Sequence, residues 1–433
     1  MLHRYYQNRV FILEHKAPQP IHTVDIIQQY TWSRFMAIAT KIQTCIQQSS
    51  WIRKMFEEGD RLRAQFGADN VFDFTIGNPA VEPPDAFKRA LQELANNPVP
   101  GMHRYMSNAG YPETRAAVAQ HLSKSSTLPL QAEHVIMTCG AGGALNIALK
   151  TILNPNDEVV ILAPYFVEYK FYIDNHGGAP VVVETCADTF LPDVDAIASA
   201  ITSRTKAIIL NSPNNPTGVI YPAHILDSIN AMLQQKQREY GNAIYVISDE
   251  PYARLAYDNS TIPCIFNHIA NSVIATSHSK DLALPGERIG YLAISPALEE
   301  ANAFIEGAVF SNRVLGFVNA PALMQRLIIG LQNESVDIAA YEHKRNLLYN
   351  NLSAMGFSMV KPEGGFYLFP KSPLADDVEF VKMAQEEKIL LVPGLGFGAA
   401  GYFRIAYCID LDIIERSMPA WERLAQRVKT YKK

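Results

Sequence analysis

The stretch "SHSKDLALPGERIGY", Ser277 to Tyr291, sets one lysine among hydroxyl groups and one arginine eight residues later, across a Pro-Gly turn. A lysine amine there is a solvated charge, an ion-pair partner or, where desolvated beside other cations, a nucleophile able to form an imine with a carbonyl. The arginine offers a rigid fork suited to phosphate or carboxylate oxygens. Ser277 and Ser279 add hydroxyl donors. Nothing inside the stretch decides between these readings of Lys280 and Arg288, so the rest of the chain must.

Three other stretches present polar groups directly after apolar runs. In "VIMTCGAGGALNIAL" a buried strand is expected to end at Thr138 and a helix to begin near Gly143. The free N–H groups of that turn, with the positive end of the helix dipole, form an anion site, and the glycines let a phosphate come close to the backbone. A tight strand-to-helix turn uses the same residues. In "AIILNSPNNPTGVIY" two X-Pro bonds stiffen a loop from which Asn214 and Asn215 project. An amide at a strand's carboxyl end faces the crevice where such sheets hold ligands; an ordinary Asn-Pro turn is the plain alternative. In "AIYVISDEPYARLAY" an apolar run delivers Asp249 to a strand exit, with Tyr252 three residues beyond. A turn aspartate facing solvent is one reading. The other is a carboxylate set in a crevice for a buried cationic nitrogen, since buried charges need partners.

The elements that would position these groups are legible as apolar runs. "HVIMT", "DEVVIL", "PVVVE", "KAIIL", "AIYVIS" and "SVIAT" fall between about residues 130 and 295. They are continuous rather than alternating, as strands buried on both faces require. Between them lie amphipathic segments such as "ALNIALKTIL", with Leu145, Ala148, Leu149 and Ile152 on one helical face. This predicts an α/β fold: a large domain with a mostly parallel sheet flanked by helices. Beyond about residue 313 the texture changes to helical "NAPALMQRLIIGLQN" and "DIAAYEHKRNLLYNNLSAMG", strand-like "GGFYLFP" and "YFRIAYC", and the Gly-rich "PGLGFGAAG". A smaller α+β domain is expected there. The division reads as an N-terminal extension over 1–47, a helix and segment joining the small domain over 48–75, a large ligand-binding domain over 76–312 and a small C-terminal domain over 313–433. Residues 1–35 carry no convincing secretory signal and are expected to be dispensable.

Composition narrows the function classes. The chain has 433 residues, 48% apolar and 19% charged, which suits a globular protein of two or three domains. A net charge of −5 gives no ground for a nucleic acid or an anionic membrane as partner. The five cysteines are scattered and form no CxxC, arguing for a reducing, cytoplasmic compartment and against a disulfide framework or a metal site. No apolar run approaches the ~20 residues of a membrane span.

An anion cradle, an arginine fork, an acid for a ring nitrogen, an amide, a phenol and a lysine together match pyridoxal phosphate, whose aldehyde takes an amine and whose ring is an electron sink. With "NNPTG", "SDEPY" and "SHSK…GERIGY" in this order, the chain resembles the fold-type I pyridoxal-phosphate aminotransferases of the aspartate aminotransferase-like branch, over roughly residues 48–430. The resemblance implies that Lys280 carries the cofactor as an aldimine and later moves the proton, and that Asp249 keeps the ring nitrogen protonated. It implies that Asn215 and Tyr252 hydrogen-bond the 3′-oxygen and that Phe166, of "PYFVEY", stacks on the ring; a core phenylalanine is the competing reading. The phosphate would take the Ala141 and Gly142 amides, Ser277, Arg288 and, from a neighbouring subunit of a homodimer, Tyr105. Arg404, of "GYFRIAY", would grip the substrate's α-carboxylate, and Gly77, of "TIGNPAVEPP", lies in the segment that closes over the substrate. Gly142 stands where relatives often place a hydroxyl, and "GNPAVEPP" departs from the commoner acidic version. The implied function is transfer of an amino group from an L-amino acid to a 2-oxo acid, with glutamate and 2-oxoglutarate on one side. Arg313 lies near where dicarboxylate-specific relatives place a second arginine, but reads better as a solvated helix-end residue. A C–S β-lyase on the same scaffold and a non-catalytic cofactor-binding regulator are the alternatives.

Overall fold

The computed structural model describes residues 38–48 and 50–431, so the expectation for residues 1–35 lies outside the described residues. Residues up to Ser49 and residues from Ser50 onward form two compact units. The described part of the first is a helix, Thr40–Gln48. The remaining elements belong to the second unit.

That unit opens with the helix Ser50–Phe66, which the sequence placed after Ser49, and Gly67, at φ +84°, turns the chain out of it. Twelve strands follow in chain order: β1 Phe72–Asp73, β2 Val135–Thr138, β3 Glu158–Ala163, β4 Ala179–Glu184, β5 Thr205–Asn211, β6 Tyr245–Asp249, β7 Ser272–Ser277, β8 Gly290–Ile294, β9 Tyr367–Leu368, β10 Ile389–Leu390, β11 Val392–Pro393 and β12 Phe403–Ala406. Seven make one sheet in the order β2-β8-β7-β6-β5-β3-β4. All its pairings are parallel except the two made by β8.

The sheet is buried because successive residues point to opposite faces and both faces are covered. Val160, Leu162, Ile208, Leu210, Val246 and Ile274 join one core, while Val159, Ile161, Ile209, Ile247 and Val273 join another on the opposite face. The expectation of two-sided burial fails for "PVVVE". As β4 it is the edge strand, and Val182 is 43% exposed. Its apolar run reflects β propensity rather than depth.

A third core gathers Phe74, Phe366, Phe380, Phe403, Trp421 and Leu424 around the small antiparallel sheet β11-β12-β9. The N-terminal segment belongs to it: β1 pairs in parallel with β10, and the Phe74 ring lies 5.9 Å from that of Trp421. The Phe74 N–H donates to the Leu390 carbonyl, and the Ala406 N–H donates to the Phe74 carbonyl. Residues 74–77 are thereby delivered to the sheet's edge. Between Leu331, in the first core, and Val336, in the third, the chain crosses within five residues; Phe74, Tyr252 and Ala283 of the third core and Phe369 and Phe397 of the first lie outside that order. Among the described residues no helix is long and apolar enough to cross a membrane, and no group of His, Cys, Asp and Glu is arranged to hold a metal ion.

Candidate active site

Topology answers why Lys280 and Arg288 lie so close in sequence. Strand β7 ends at Ser277 and runs into the lysine turn; β8 starts at Gly290 and runs back antiparallel. Both side chains therefore stand at the same edge of the sheet, where the parallel strands β2, β3, β5 and β6 also end. A cavity of about 550 Å³ opens there, of the size expected for a small-molecule site. Gly77, Ala141, Gly142, Phe166, Asn215, Asp249, Tyr252, Ser277, Lys280, Arg288 and Arg404 all line it.

Each residue arrives by an identifiable route. The helix Gly140–Ile152 starts three residues earlier than its apolar pattern indicates; Cys139 is its N-cap and Gly140, at φ +71°, makes the turn from β2. A side chain on Gly140 would come within 2.7 Å of Arg288 Nη2, so glycine there leaves the guanidinium its place beside the helix start. Asn215 is held by its own N–H, which donates to Asn211 Oδ1 at 2.6 Å, and its Oδ1 accepts from Arg404 Nη1 at 3.1 Å. Arg404 leaves β12 between the rings of Tyr367 and Phe397, at 4.4 and 4.7 Å. Ser277 Oγ donates to Ser279 Oγ at 3.0 Å.

The strap 75–77 meets this cluster through its carbonyls. Thr75 O accepts from Arg404 Nη2 at 2.6 Å, Ile76 O from Cys408 Sγ at 3.6 Å and Gly77 O from Lys280 Nζ at 2.6 Å. Gly77 allows the close approach, because any side chain on it would overlap the Tyr367 hydroxyl. A carbonyl is a weak substitute for the hydration an ammonium loses. Burial pushes Lys280 down from its ordinary 10.5 to about 8, with Arg404 and Arg288 acting in the same direction and Cys408 opposing. The amine is thus partly neutral near physiological pH and able to act as a base or nucleophile.

Most of the chain matches a known family. The profile described as aminotransferase class I and II matches residues 69–417. The chain belongs to that family. An aminotransferase from Eubacterium rectale superposes with a TM-score of 0.88 at 35% identity, covering 91% of this chain and 99% of that one. A probable aspartate/prephenate aminotransferase of Thermus aquaticus is 33% identical over 371 residues, 82% of this chain and 91% of the relative. A single mutant of Thermus thermophilus aspartate aminotransferase superposes with a TM-score of 0.77 at 28% identity, covering 86% and 95%. The protein is an enzyme of the transaminase type, and neither a β-lyase nor a non-catalytic regulator is favoured.

Several residues of this aminotransferase site escaped the sequence reading. Tyr169 Oη donates to Asp249 Oδ2 at 2.5 Å, and Tyr252 and Tyr367 meet through their hydroxyls at 3.1 Å. Glu168 and Tyr172 also line the cavity. The first two pairs join residues 80 and 115 positions apart, so no local pattern announces them. Tyr105 is the expected residue that stands apart: it is 89% exposed, beside Met106 and Phe317 in a separate cleft. Arg313 is exposed too, over the Phe310 ring at 5.2 Å, and does not line the cavity.

Asp249 shows what the site asks of a ligand. It is 4% exposed, Tyr169 bonds one of its oxygens, and the other is buried without a partner. Burial pushes its carboxyl from 3.8 up to about 7, against the Tyr169 hydrogen bond. The folded chain then binds more protons than the unfolded one between about pH 4 and 7. Stability falls as pH rises through that window and stays reduced above it. In the ligand-free protein Asp249→Asn is expected to raise the thermal midpoint at pH 8 by roughly 2–4 °C, and by much less at pH 5. A midpoint at pH 8 that is unchanged or lower contradicts this, as read by calorimetry.

Proposed function

We propose that the cavity binds pyridoxal phosphate and that the enzyme moves the amino group of an L-amino acid to a 2-oxo acid, with glutamate and 2-oxoglutarate on one side. The observation that carries this reading is one cavity holding a depressed lysine, a buried carboxylate with one unpartnered oxygen and two arginines, Arg288 and Arg404. The residues fit the cofactor. The unpartnered Asp249 Oδ1 suits a protonated ring nitrogen, and Tyr252 and Asn215 offer polar groups for the ring oxygen. The Ala141 and Gly142 amides at a helix start, with Ser277 and Arg288, would hold the phosphate; Gly142 supplies no hydroxyl to it. Phe166 would face the ring.

When bound, pyridoxal phosphate supplies a carbonyl that exchanges with amines and a ring that accepts electron density. The chain's own residues do the rest. Arg404 takes the substrate's α-carboxylate with its two Nη groups, giving up the Thr75 carbonyl and Asn215 Oδ1. Lys280 Nζ gives up the Gly77 carbonyl and, as the neutral amine, would take the proton from the substrate's α-carbon and hold it for return beyond the amino nitrogen, two atoms along. A cation standing against Asp249 would favour its ionised form, which burial alone disfavours. Aspartate is the first donor to try, since relatives bear its name.

The same reading makes residues 76–312 a large cofactor-binding domain and 313–433 a small one joined by residues 48–75, with 313–331 packed on the large core. It makes Tyr105 a contribution to the second copy's site in a homodimer, which its exposure supports. A cytoplasmic location suits the free thiols of Cys139, Cys186, Cys264 and Cys408.

Borohydride treatment of the protein supplied with the cofactor is expected to fix it to Lys280, located by peptide mass. Lys280→Ala is expected to lose that product and to slow transfer by roughly 10³-fold or more. Arg404→Ala keeps the cofactor and loses roughly 100-fold in kcat/KM for the amino donor. Normal turnover in Lys280→Ala, or cofactor loss in Arg404→Ala, contradicts these roles. Sedimentation is expected to show a dimer, with Tyr105→Ala releasing cofactor more readily; a fully active monomer rules that arrangement out.

A further inference from the structure

Resting on the roles proposed for Lys280 and Arg404, we infer that Arg254 and Asp281 form a clamp that positions Lys280 relative to Arg404. Neither clamp residue lines the active cavity. The two residues they position belong to different parts of the fold: Lys280 follows β7 of the large sheet, and Arg404 sits on β12 in the third core. Proton transfer needs the amine over the α-carbon of a substrate whose carboxylate Arg404 holds. The short crossover 332–336 is one of the links between the cores that carry them.

That crossover is gripped by the clamp. Arg254 Nη2 donates to the Gln332 carbonyl at 2.7 Å and Nη1 donates to the Glu334 carbonyl at 2.8 Å. The Val336 N–H donates to the Asp281 carbonyl at 2.7 Å. The two clamp residues also meet each other, with Arg254 Nε 3.5 Å from Asp281 Oδ2. The same oxygen lies 3.1 Å from His278 Nδ1, so the carboxylate braces the turn from both sides of Lys280. His121 Nε2 lies 3.0 Å from Arg254 Nη2, and burial followed by the Arg254 charge pushes that imidazole down to about 4, leaving it a neutral acceptor. Behind the clamp lies a small, partly open space of about 30 Å³, lined by Glu250, Thr276, His278 and Tyr291 as well as the two clamp residues. The Asp281 side chain is 9% exposed and that of Arg254 20%, so water competes poorly for these contacts.

A positioning clamp differs from a structural brace in what its loss changes. In the full-length holoenzyme, Arg254→Met and Asp281→Asn are each expected to lower kcat by roughly 10- to 100-fold, the effect of a misplacement of about 1 Å. KM for the amino donor should stay within about threefold, because Arg404 is untouched. The double variant should fall no further than the worse single one, since the two act as a unit. In the ligand-free protein, amide exchange across 332–336 should quicken in every variant. Wild-type kcat, a KM rise that accounts for the whole loss, additive effects or unchanged exchange each overturn the clamp. Should a variant fail to fold, Arg254→Lys carries the same expectations, because one ammonium cannot reach both carbonyls and Asp281. A wild-type enzyme without transfer activity counts against the roles of Lys280 and Arg404 instead, and the exchange measurement still judges the clamp.

Discussion

An ammonium group held away from water with one carbonyl for company is the interaction on which this active site depends. Lys280 Nζ, partly buried at the cavity wall, has the Gly77 carbonyl and the distant face of Phe366, at 5.7 Å from the ring centroid, in place of part of its hydration shell. Two arginines in the same cavity add their repulsion. Desolvation and like charge both favour the neutral amine, which is the form that can attack a carbonyl or take a proton from carbon. No other ionisation in the cavity has that consequence. Asp249 is shifted by burial in the opposite sense, toward protonation, and so waits for a cation to restore its charge.

The surrounding architecture can be understood as the means of maintaining this arrangement. A sheet buried on both faces ends its parallel strands on one line, and the antiparallel β8 brings Arg288 back to the line that Lys280 has just left. A separate core, built on Phe74, Trp421 and Phe403, carries Arg404 and the strap 75–77 to the same edge. The strap's carbonyls occupy the side chains that a substrate would engage, so the ligand-free site keeps its charged groups partnered, Asp249 Oδ1 and Arg404 Nε excepted. Binding exchanges these contacts rather than creating charge in an empty space. This is a low-cost way to keep a polar site preformed.

Much of this was legible in the chain, and what was missed has common causes. Strand-end loops announce themselves because a buried strand is a continuous apolar run and its exit must turn polar, as at Asp249 and Lys280. The edge position of β4 left no such mark, because Val181, Val182 and Val183 read the same at an edge as in a centre. The antiparallel β8 was unread because direction is a property of pairing, not of composition. Tyr169 and Tyr367 were missed because their partners lie far away in sequence, and a tyrosine's neighbours cannot be inferred from its own surroundings. Arg254 carries no mark in the sequence; only the fold shows that it reaches two carbonyls of the crossover.

The most direct test is the ionisation of Lys280 itself. Competitive acetylation of the ligand-free protein, quantified peptide by peptide by mass spectrometry between about pH 6 and 11, reports when each amine loses its proton. Reactivity of Lys280 should rise with a midpoint near 8, well ahead of the exposed lysines. A midpoint at the ordinary 10.5 would mean that the cavity does not desolvate the amine, and the account of this site would be wrong.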